Sequence, residues 1–178
     1  MTQPAVASHP TDAVAAYVAT LFAALGDRDP HDVLRATPAE LRQAVAGLSP
    51  EQLSRPEAPG KWSIRQVVLH LADAELVGGF RYRMGLAHDR PTLPGYDQDL
   101  WADRLRYQEA DLEAALDDFA TLRRSNLRLL AGASPADLER AVLHAERGEE
   151  SLARMMTMFA GHDRVHLNQI ERIKRAIG

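Results

Sequence analysis

Apolar residues recur with helical spacing along most of the chain, and short segments rich in turn-forming residues separate the apolar stretches. We find no convincing alternation of apolar and polar positions of the kind that indicates strands. The pattern predicts a first helix over 11–25, a helix that begins after Ser63 and a last helix over 150–176. It also predicts a long amphipathic segment over 99–131, either continuous or broken early. Four principal helices around one core predict an all-α protein, a four-helix bundle with short accessory helices.

Several local signals mark the predicted ends of helices. Residues 63–66, Ser-Ile-Arg-Gln, have the pattern of a capping box, in which the first and fourth residues bond to each other's backbone. Residues 37–40, Thr-Pro-Ala-Glu, have the same pattern with proline at the first helical position, and predict a short helix that begins there and ends at Gly47. Residues 144–148 are predicted to form a turn.

The composition predicts one globular domain. Hydrophobic residues make up 46% and charged residues 26% of the 178 residues, enough for a sizeable core. We expect one domain over 11–178 and a disordered N-terminus over 1–10, where Pro4, Ser8 and Pro10 interrupt any periodicity.

The charge and the apolar lengths restrict the expected partners. The net charge of −4 gives no basic face, so we expect no nucleic-acid partner. No stretch has the apolar length that spans a bilayer, and the first residues lack the basic start and apolar run of a secretory signal. We therefore expect a cytoplasmic protein with no membrane partner.

The chain contains no cysteine. Disulfides and thiolate ligands are therefore excluded, and any bound metal must use histidine, carboxylate or water oxygen. If the chemistry involves a thiol, the thiol must come from outside the chain.

Two histidines of the last helix, His162 and His166, lie four residues apart. Such residues share one helix face, and both histidines fall within or beside the apolar stripe. That stripe consists of Leu152, Met155, Met156, Phe159, Ile170, Ile173 and Ile177. Two imidazoles placed in this way can converge on one metal ion, although histidines at this spacing more often form hydrogen bonds in a core. The spacing leaves both interpretations open.

Three further residues bear on this site. His70 lies on the flank of the helix that begins after Ser63, where it could complete a set of three imidazoles or be a partly exposed histidine without a ligand role. Glu75 and Asp163 project into apolar stripes, where a carboxylate must be paired or hydrogen-bonded. Asp163 could orient a histidine, meet an arginine of another helix or lie where the stripe opens to solvent. Glu75, Asp163 and His144 are the candidates for a fourth metal ligand, although we expect His144 on the surface or in a turn.

Three stretches together resemble the DinB-like superfamily, and within it the DinB/YfiT-like group of metal-dependent hydrolases and thiol transferases. The matching stretches are GKWSIRQVVLHLAD at 60–73, GYDQDLW at 95–101 and GHDRVHLNQI at 161–170. They occur in the family's order, and the resemblance covers about 35–177. The helix over 11–25 lies outside it, and we assign that helix no chemistry.

The resemblance implies a bundle of up-down-down-up topology that holds a divalent metal with three histidines. The positions that match are His70, His162 and His166. Zinc and nickel are the first candidates for the metal, followed by iron and manganese. Catalytic residues and residues that bind other cofactors remain unassigned. Because relatives look dimeric, the resemblance also implies a homodimer.

Three neutral imidazoles leave the double charge of the metal unreduced, which lowers the pKa of bound water or thiol. The resemblance favours a small-molecule S-transferase that uses a low-molecular-weight thiol such as bacillithiol in detoxification or the stress response. The first alternative is a hydrolase that uses metal-bound hydroxide. The second is a stress-associated metal-binding bundle without catalysis, for which a fourth protein ligand would be expected.

Overall fold

The computed structural model describes residues 11–178, and the predicted disordered segment 1–10 lies outside them. The described residues form eight helices and three short strands. In chain order these are α1 (Asp12–Leu25), α2 (Pro30–Val45), α3 (Pro50–Ser54), α4 (Ile64–Ala87), β1 (Thr92–Leu93), α5 (Gln98–Arg104), α6 (Leu112–Ala131), α7 (Pro135–Leu138), β2 (Ala141–His144), β3 (Gly148–Ser151) and α8 (Leu152–Ile177). No helix among the described residues is long and apolar enough to cross a membrane.

Helices α4 and α6 run in the same direction. Near their starts, Arg65 donates a hydrogen bond to the carbonyl oxygen of Ala110, which lies just before α6. Nearer their ends, Arg83 donates to the side-chain oxygen of Asn126. Two consecutive helices can be parallel here because the long connection through β1 and α5 returns the chain to the end at which α4 begins.

Helices α2 and α8 also run in the same direction. Leu34 packs in one cluster with Ala160, and Glu40, further along α2, forms an ion pair with Arg164, further along α8. With α4 and α6 running opposite to this pair, the order is up-down-down-up. The predicted four-helix bundle and its topology are therefore confirmed.

Helices α4 and α8 are antiparallel and lie close together because two glycines of α4 face large side chains of α8. A Cβ atom on Gly78 would lie 2.6 Å from the ring of Phe159, and one on Gly85 would lie 2.5 Å from Leu152. Neither position has room for a methyl group. This close approach lets side chains on the two helices reach a common point.

The start of α2 corrects the prediction of a helix that begins at Thr37. The helix begins at Pro30 and continues through Pro38. Proline has no backbone N–H, so Pro38 leaves the carbonyl oxygen of Leu34 without its helical donor. Arg123 of α6 donates to that oxygen at 2.8 Å, which satisfies it from another helix.

The predicted segment over 99–131 is two helices, α5 and α6. Asp111 ends the connection between them, because its side chain accepts hydrogen bonds from the first backbone N–H groups of α6. The early break that the sequence analysis left open therefore lies between Arg104 and Leu112.

A small sheet also corrects the expectation that the chain has no strands. Strand β2 pairs in parallel with β1 and antiparallel with β3. The predicted turn over 144–148 is the connection between β2 and β3, and His144 ends β2 fully buried. His144 is therefore not the surface residue that the sequence suggested. The alternating burial of β2 extends over only four residues, too few for a periodicity signal.

Candidate metal centre

Helices α4 and α8 bring His70, His162 and His166 together, although His70 is distant from the other two in sequence. The Nε2 atom of His162 lies 3.0 Å from that of His70 and 3.1 Å from that of His166. Two nitrogens bound to one ion at about 2.0–2.1 Å are about 2.8–3.4 Å apart when they are neighbours in octahedral or tetrahedral geometry. These two distances therefore match those of ligands to one shared ion, and one ligand nitrogen from each of the three histidines lies within 4.8 Å of the other two.

Burial prepares these imidazoles to act as ligands. It lowers the pKa of His70 and of His162 well below the usual histidine value, and it lowers the pKa of His166 as well. The neighbouring histidines lower the pKa of His70 and His162 further, because two imidazolium ions at this distance repel each other. All three rings are therefore neutral at pH 7, which is the form that has a free nitrogen lone pair.

The outer nitrogens of the rings differ in their partners. The Nδ1 atom of His166 lies 2.8 Å from Oε1 of Gln169, and an N–H on Nδ1 leaves the Nε2 lone pair directed at the other two histidines. The Nδ1 atoms of His70 and His162 are buried without a partner among residues 11–178. The ring of Trp62 packs against His70, with centroids 5.0 Å apart.

A buried cluster of charges lies beside the histidines. Arg123 of α6 donates to both carboxylate oxygens of Asp163, at 2.7 and 3.2 Å, and forms an ion pair with Glu75 at 2.7 Å. All three side chains are almost fully buried. Burial alone would lower the pKa of Arg123, but the carboxylates of Asp163 and Glu75 raise it above the usual arginine value. Asn126 adds a hydrogen bond to Glu75 at 2.8 Å.

In this cluster, Arg123 pairs with Glu75 and Asp163, the two carboxylates whose partners the sequence left open. Asp163 meets an arginine of another helix, which was one of the three predicted alternatives. Within residues 11–178, the group of side chains that could share one ion contains the three histidines and no fourth ligand. Glu75 and Asp163 are engaged by Arg123, and His144 stands outside the group.

A cavity of about 260 Å³ opens next to the histidines, and His70 and His162 form part of its lining. Its apolar walls come from α8 and from α1, the helix to which the sequence assigned no chemistry. Val14 and Leu21 of α1 and Met158 and Phe159 of α8 contribute to these walls. An ion held by the histidines would therefore have open positions next to an apolar space.

Sequence reasoning did not identify Arg123, although a signal was present. Arg123 follows Leu116 by seven residues and Phe119 by four, so it falls on the apolar stripe of its own helix. A charge on such a stripe needs a partner, and Glu75 and Asp163 lie on apolar stripes of two other helices. The three positions together indicate a buried charge cluster.

Helical bundles commonly build metal sites from side chains of facing helices, and the histidines of α4 and α8 have this arrangement. The sequence pattern of the DinB superfamily matches residues 33–170, and the chain belongs to this superfamily. The resemblance inferred from the three stretches is therefore confirmed. Helix α1, which forms one wall of the cavity, lies outside the matched residues.

Related proteins agree with this assignment. A protein of Bacillus mycoides strain KBAB4 is 31% identical over 140 residues, which cover 79% of this chain and 80% of that protein. A protein of Bacillus licheniformis is 33% identical over 148 residues, which cover 82% and 83%. Both are named as candidate metal-dependent hydrolases.

A solved structure is similar as well. The structure of YfiT from Bacillus subtilis matches with a TM-score of 0.79 and 27% identity, over 84% of this chain and 86% of that one. YfiT is described as a candidate metal-dependent hydrolase with an unusual four-helix bundle topology. The chain therefore shares both its family and its bundle topology with proteins that carry this description.

Proposed function

We propose that His70, His162 and His166 hold one divalent metal ion and that the chain is a metal-dependent hydrolase of small molecules. The observation that carries this proposal is the convergence of three neutral imidazoles, with no fourth protein ligand among the described residues, beside a cavity. The names of the relatives support the reaction class. Zinc and nickel suit an all-imidazole site, and iron and manganese are further candidates.

A divalent ion in this site would polarise a substrate carbonyl and lower the pKa of a water or thiol that binds to it. The protein's own residues determine where the ion lies and what surrounds it. The histidines hold the ion at one end of the cavity, and the apolar side chains of α1 and α8 limit the access of bulk water. The Arg123 cluster fixes the helix turn that carries His162, because Asp163 is the next residue.

The second candidate function is the S-transferase that the family resemblance favours. An open ligand position beside an apolar cavity can accept the sulfur of an external thiol, and the chain has no cysteine that would compete. Bacillithiol is the first thiol to test, and a role in detoxification or stress stays a prediction. The non-catalytic alternative is less well supported, because a structural zinc site is usually closed by four protein ligands.

The metal site is tested first by metal analysis. We expect about one divalent ion per chain after purification, and a loss of most of it when His70, His162 and His166 are all replaced by alanine. The control is His88→Ala, because His88 is exposed and lies outside the cluster. Mass spectrometry of the metal content gives the readout. Unchanged metal content in the triple variant would contradict the proposal.

The reaction class is tested with the metal-loaded protein. A panel of esters and amides is compared with bacillithiol plus monochlorobimane, and the chelated protein and the triple histidine variant serve as controls. Metal-dependent turnover of an ester or amide supports the hydrolase. Accelerated displacement of the bimane chloride by the thiol, which forms the bimane thioether and releases chloride, without any hydrolysis would replace it by the S-transferase.

The homodimer and the cytoplasmic location stay predictions. Leu76 and Phe80 of α4 lie one turn apart, and each is about half exposed, at 52% and 51%. Neighbouring exposed apolar side chains are consistent with a self-association surface. Light scattering at two protein concentrations measures the oligomeric state, and a monomer at both concentrations would contradict the homodimer.

A further inference from the structure

Arg81 lies in the cavity beside the candidate metal centre. It follows His70 by about three turns of α4, which places the two residues on the same face of that helix. Both side chains line the cavity, and Arg81 is only 5% exposed. The guanidinium group is therefore held inside the protein at a distance from the histidines, along the same helix.

Among residues 11–178, Arg81 forms no ion pair with a carboxylate. Its Nη2 donates to the carbonyl oxygen of Pro94 at 2.8 Å, and its Nε is buried without a partner among residues 11–178. None of the ion pairs of the described residues includes it, and residues 1–10 contain no aspartate or glutamate. Arg123, the other deeply buried arginine, has two carboxylates. Because a buried charge normally requires a counter-charge, an unpaired guanidinium in a cavity indicates an anionic ligand.

The surrounding charges meet this need only in part, because no carboxylate among residues 11–178 forms an ion pair with Arg81. Arg147 lies in the same cavity, but it forms an ion pair with the buried Glu150 at 2.6 Å. Glu146 also lines the cavity, yet it is exposed and forms no ion pair with Arg81. Burial, followed by the positive charge of Arg147, lowers the pKa of Arg81 to about 10, although Tyr96, Glu150 and Glu146 raise it. Arg81 therefore remains a cation at neutral pH.

His144 adds a second unpaired donor to the cavity lining. Its Nδ1 accepts a hydrogen bond from the backbone N–H of Glu146 at 3.2 Å. The proton of the neutral ring is therefore on Nε2, and Nε2 is buried without a partner among the described residues. Burial is the main cause that lowers the pKa of His144 to about 3, so the ring is a neutral donor at pH 7.

We propose that Arg81, assisted by His144, binds a carboxylate group in the cavity, and that the substrate is a small, largely apolar molecule that carries a carboxylate. The two unpaired donors favour an anion with several hydrogen-bond acceptors. The apolar walls from α1 and α8 favour a ligand whose remaining part is apolar. The volume of about 260 Å³ restricts that body to a small molecule. This inference rests on the proposed function, because the reacting group of the same molecule would lie at the histidine end.

The test compares two probes of the same shape, 4-phenylbutanoate and 4-phenylbutanamide, by calorimetric titration of the full-length zinc-loaded protein. We expect the wild type to prefer the carboxylate. Arg81→Gln should weaken carboxylate binding by about tenfold or more and change amide binding by less than about twofold. The matched control is Arg124→Gln, which removes the same charge from an exposed position of α6 outside the cavity and should leave both affinities unchanged.

Glu146→Gln gives an independent readout in the opposite direction. Removal of this negative charge should strengthen carboxylate binding severalfold. Circular dichroism checks that each variant folds, and if Arg81→Gln does not fold, Glu146→Gln decides the question. Unchanged or weaker carboxylate binding in Glu146→Gln would then overturn the proposal.

A carboxylate can also bind the metal itself, so both titrations are repeated after chelation. A preference for the carboxylate that survives chelation and depends on Arg81 supports the proposal. A preference that disappears with the metal, or that persists in Arg81→Gln, overturns it, as does failure of the carboxylate to bind the wild type. Metal content is measured for every variant, so loss of the metal site and loss of the carboxylate site are distinguished.

Discussion

At the scale of single residues, the most consequential side chain is Arg123. It neutralises the buried carboxylates of Asp163 and Glu75 and also supplies the hydrogen bond that Pro38 removes from α2. One residue therefore connects three helices and the residue next to His162. A buried ion pair is not strongly stabilising in itself, but its loss leaves uncompensated charges in the core.

Replacement of Arg123 by methionine should therefore be strongly destabilising. We expect a decrease in the free energy of unfolding of about 3–5 kcal/mol, because two carboxylates and the carbonyl of Leu34 lose their partner. The control is Arg42→Met, since Arg42 forms exposed ion pairs and should contribute less than about 1 kcal/mol. Urea unfolding measures both variants, and equal effects would contradict this role of Arg123.

His144 predicts a contribution to the pH dependence of stability. Its pKa in the folded protein is about 3, below the ordinary value of 6.5, because of burial and the charges of Arg147 and Arg81. As the pH falls below 6.5, the unfolded chain binds a proton that the folded chain does not. The free energy of unfolding therefore decreases between pH 6.5 and pH 3.

The variant His144→Gln removes that difference in proton uptake. Urea unfolding at pH 7, 6 and 5 should show a shallower decrease in stability for the variant than for the wild type, by roughly one proton. The comparison between the two proteins cancels the contributions of the other histidines. Parallel pH profiles would show that His144 does not titrate in this way.

At the scale of elements, close approach between helices decides where the cavity lies. Gly161 of α8 faces the backbone of Leu21, so α1 lies against α8 with no space for a side chain between them. This contact places the apolar face of α1 over the cavity, beside the histidine that follows Gly161. The first helix is therefore a wall of the site, which its own sequence does not reveal.

Gly161→Ala should separate α1 from α8. A Cβ atom at this position would collide with the backbone carbonyl of Leu21, which cannot move away as a flexible side chain could. We expect a loss of stability of about 1–3 kcal/mol, together with faster proteolysis of α1. Gly132→Ala is the control, because a Cβ atom there meets its nearest neighbour at 3.6 Å and the backbone has ordinary helical angles. Equal stabilities of the two variants would contradict the close packing.

At the scale of the whole molecule, the three histidines couple two helices that are distant in sequence. His70 belongs to α4 and the other two belong to α8, so an ion shared among them would connect these helices directly. An unfolded chain does not hold the three rings in this arrangement. Metal binding should therefore stabilise the folded state.

We expect zinc at a hundred times its dissociation constant to raise the free energy of unfolding by about 2.7 kcal/mol. The chelated wild type is the reference, and the triple histidine variant is the control in which zinc should have no effect. Urea unfolding with and without zinc measures the difference. An equal increase in the triple variant would place the stabilising ion elsewhere.

The sequence by itself determined the helical class and most helix starts, and it placed His162 and His166 on one face of the last helix. These features depend on local spacing, because residues three or four apart share a helix face and a capping residue bonds within its own turn. Predictions from local sequence were wrong where a residue distant in the chain supplied a hydrogen bond that the helix itself lacked. Helix α2 continues through Pro38 because Arg123 of another helix satisfies the free carbonyl.

Only the tertiary structure decided which side chains meet. It paired Asp163 and Glu75 with Arg123 and buried His144 at the end of a short strand. It also placed Arg81, which has no ion-pair partner among the described residues, in the same cavity as the histidines. These outcomes depend on how closely helices approach each other, and that distance is set by packing between residues far apart in the chain. Periodicity along one helix carries no information about the charge that another helix presents to it.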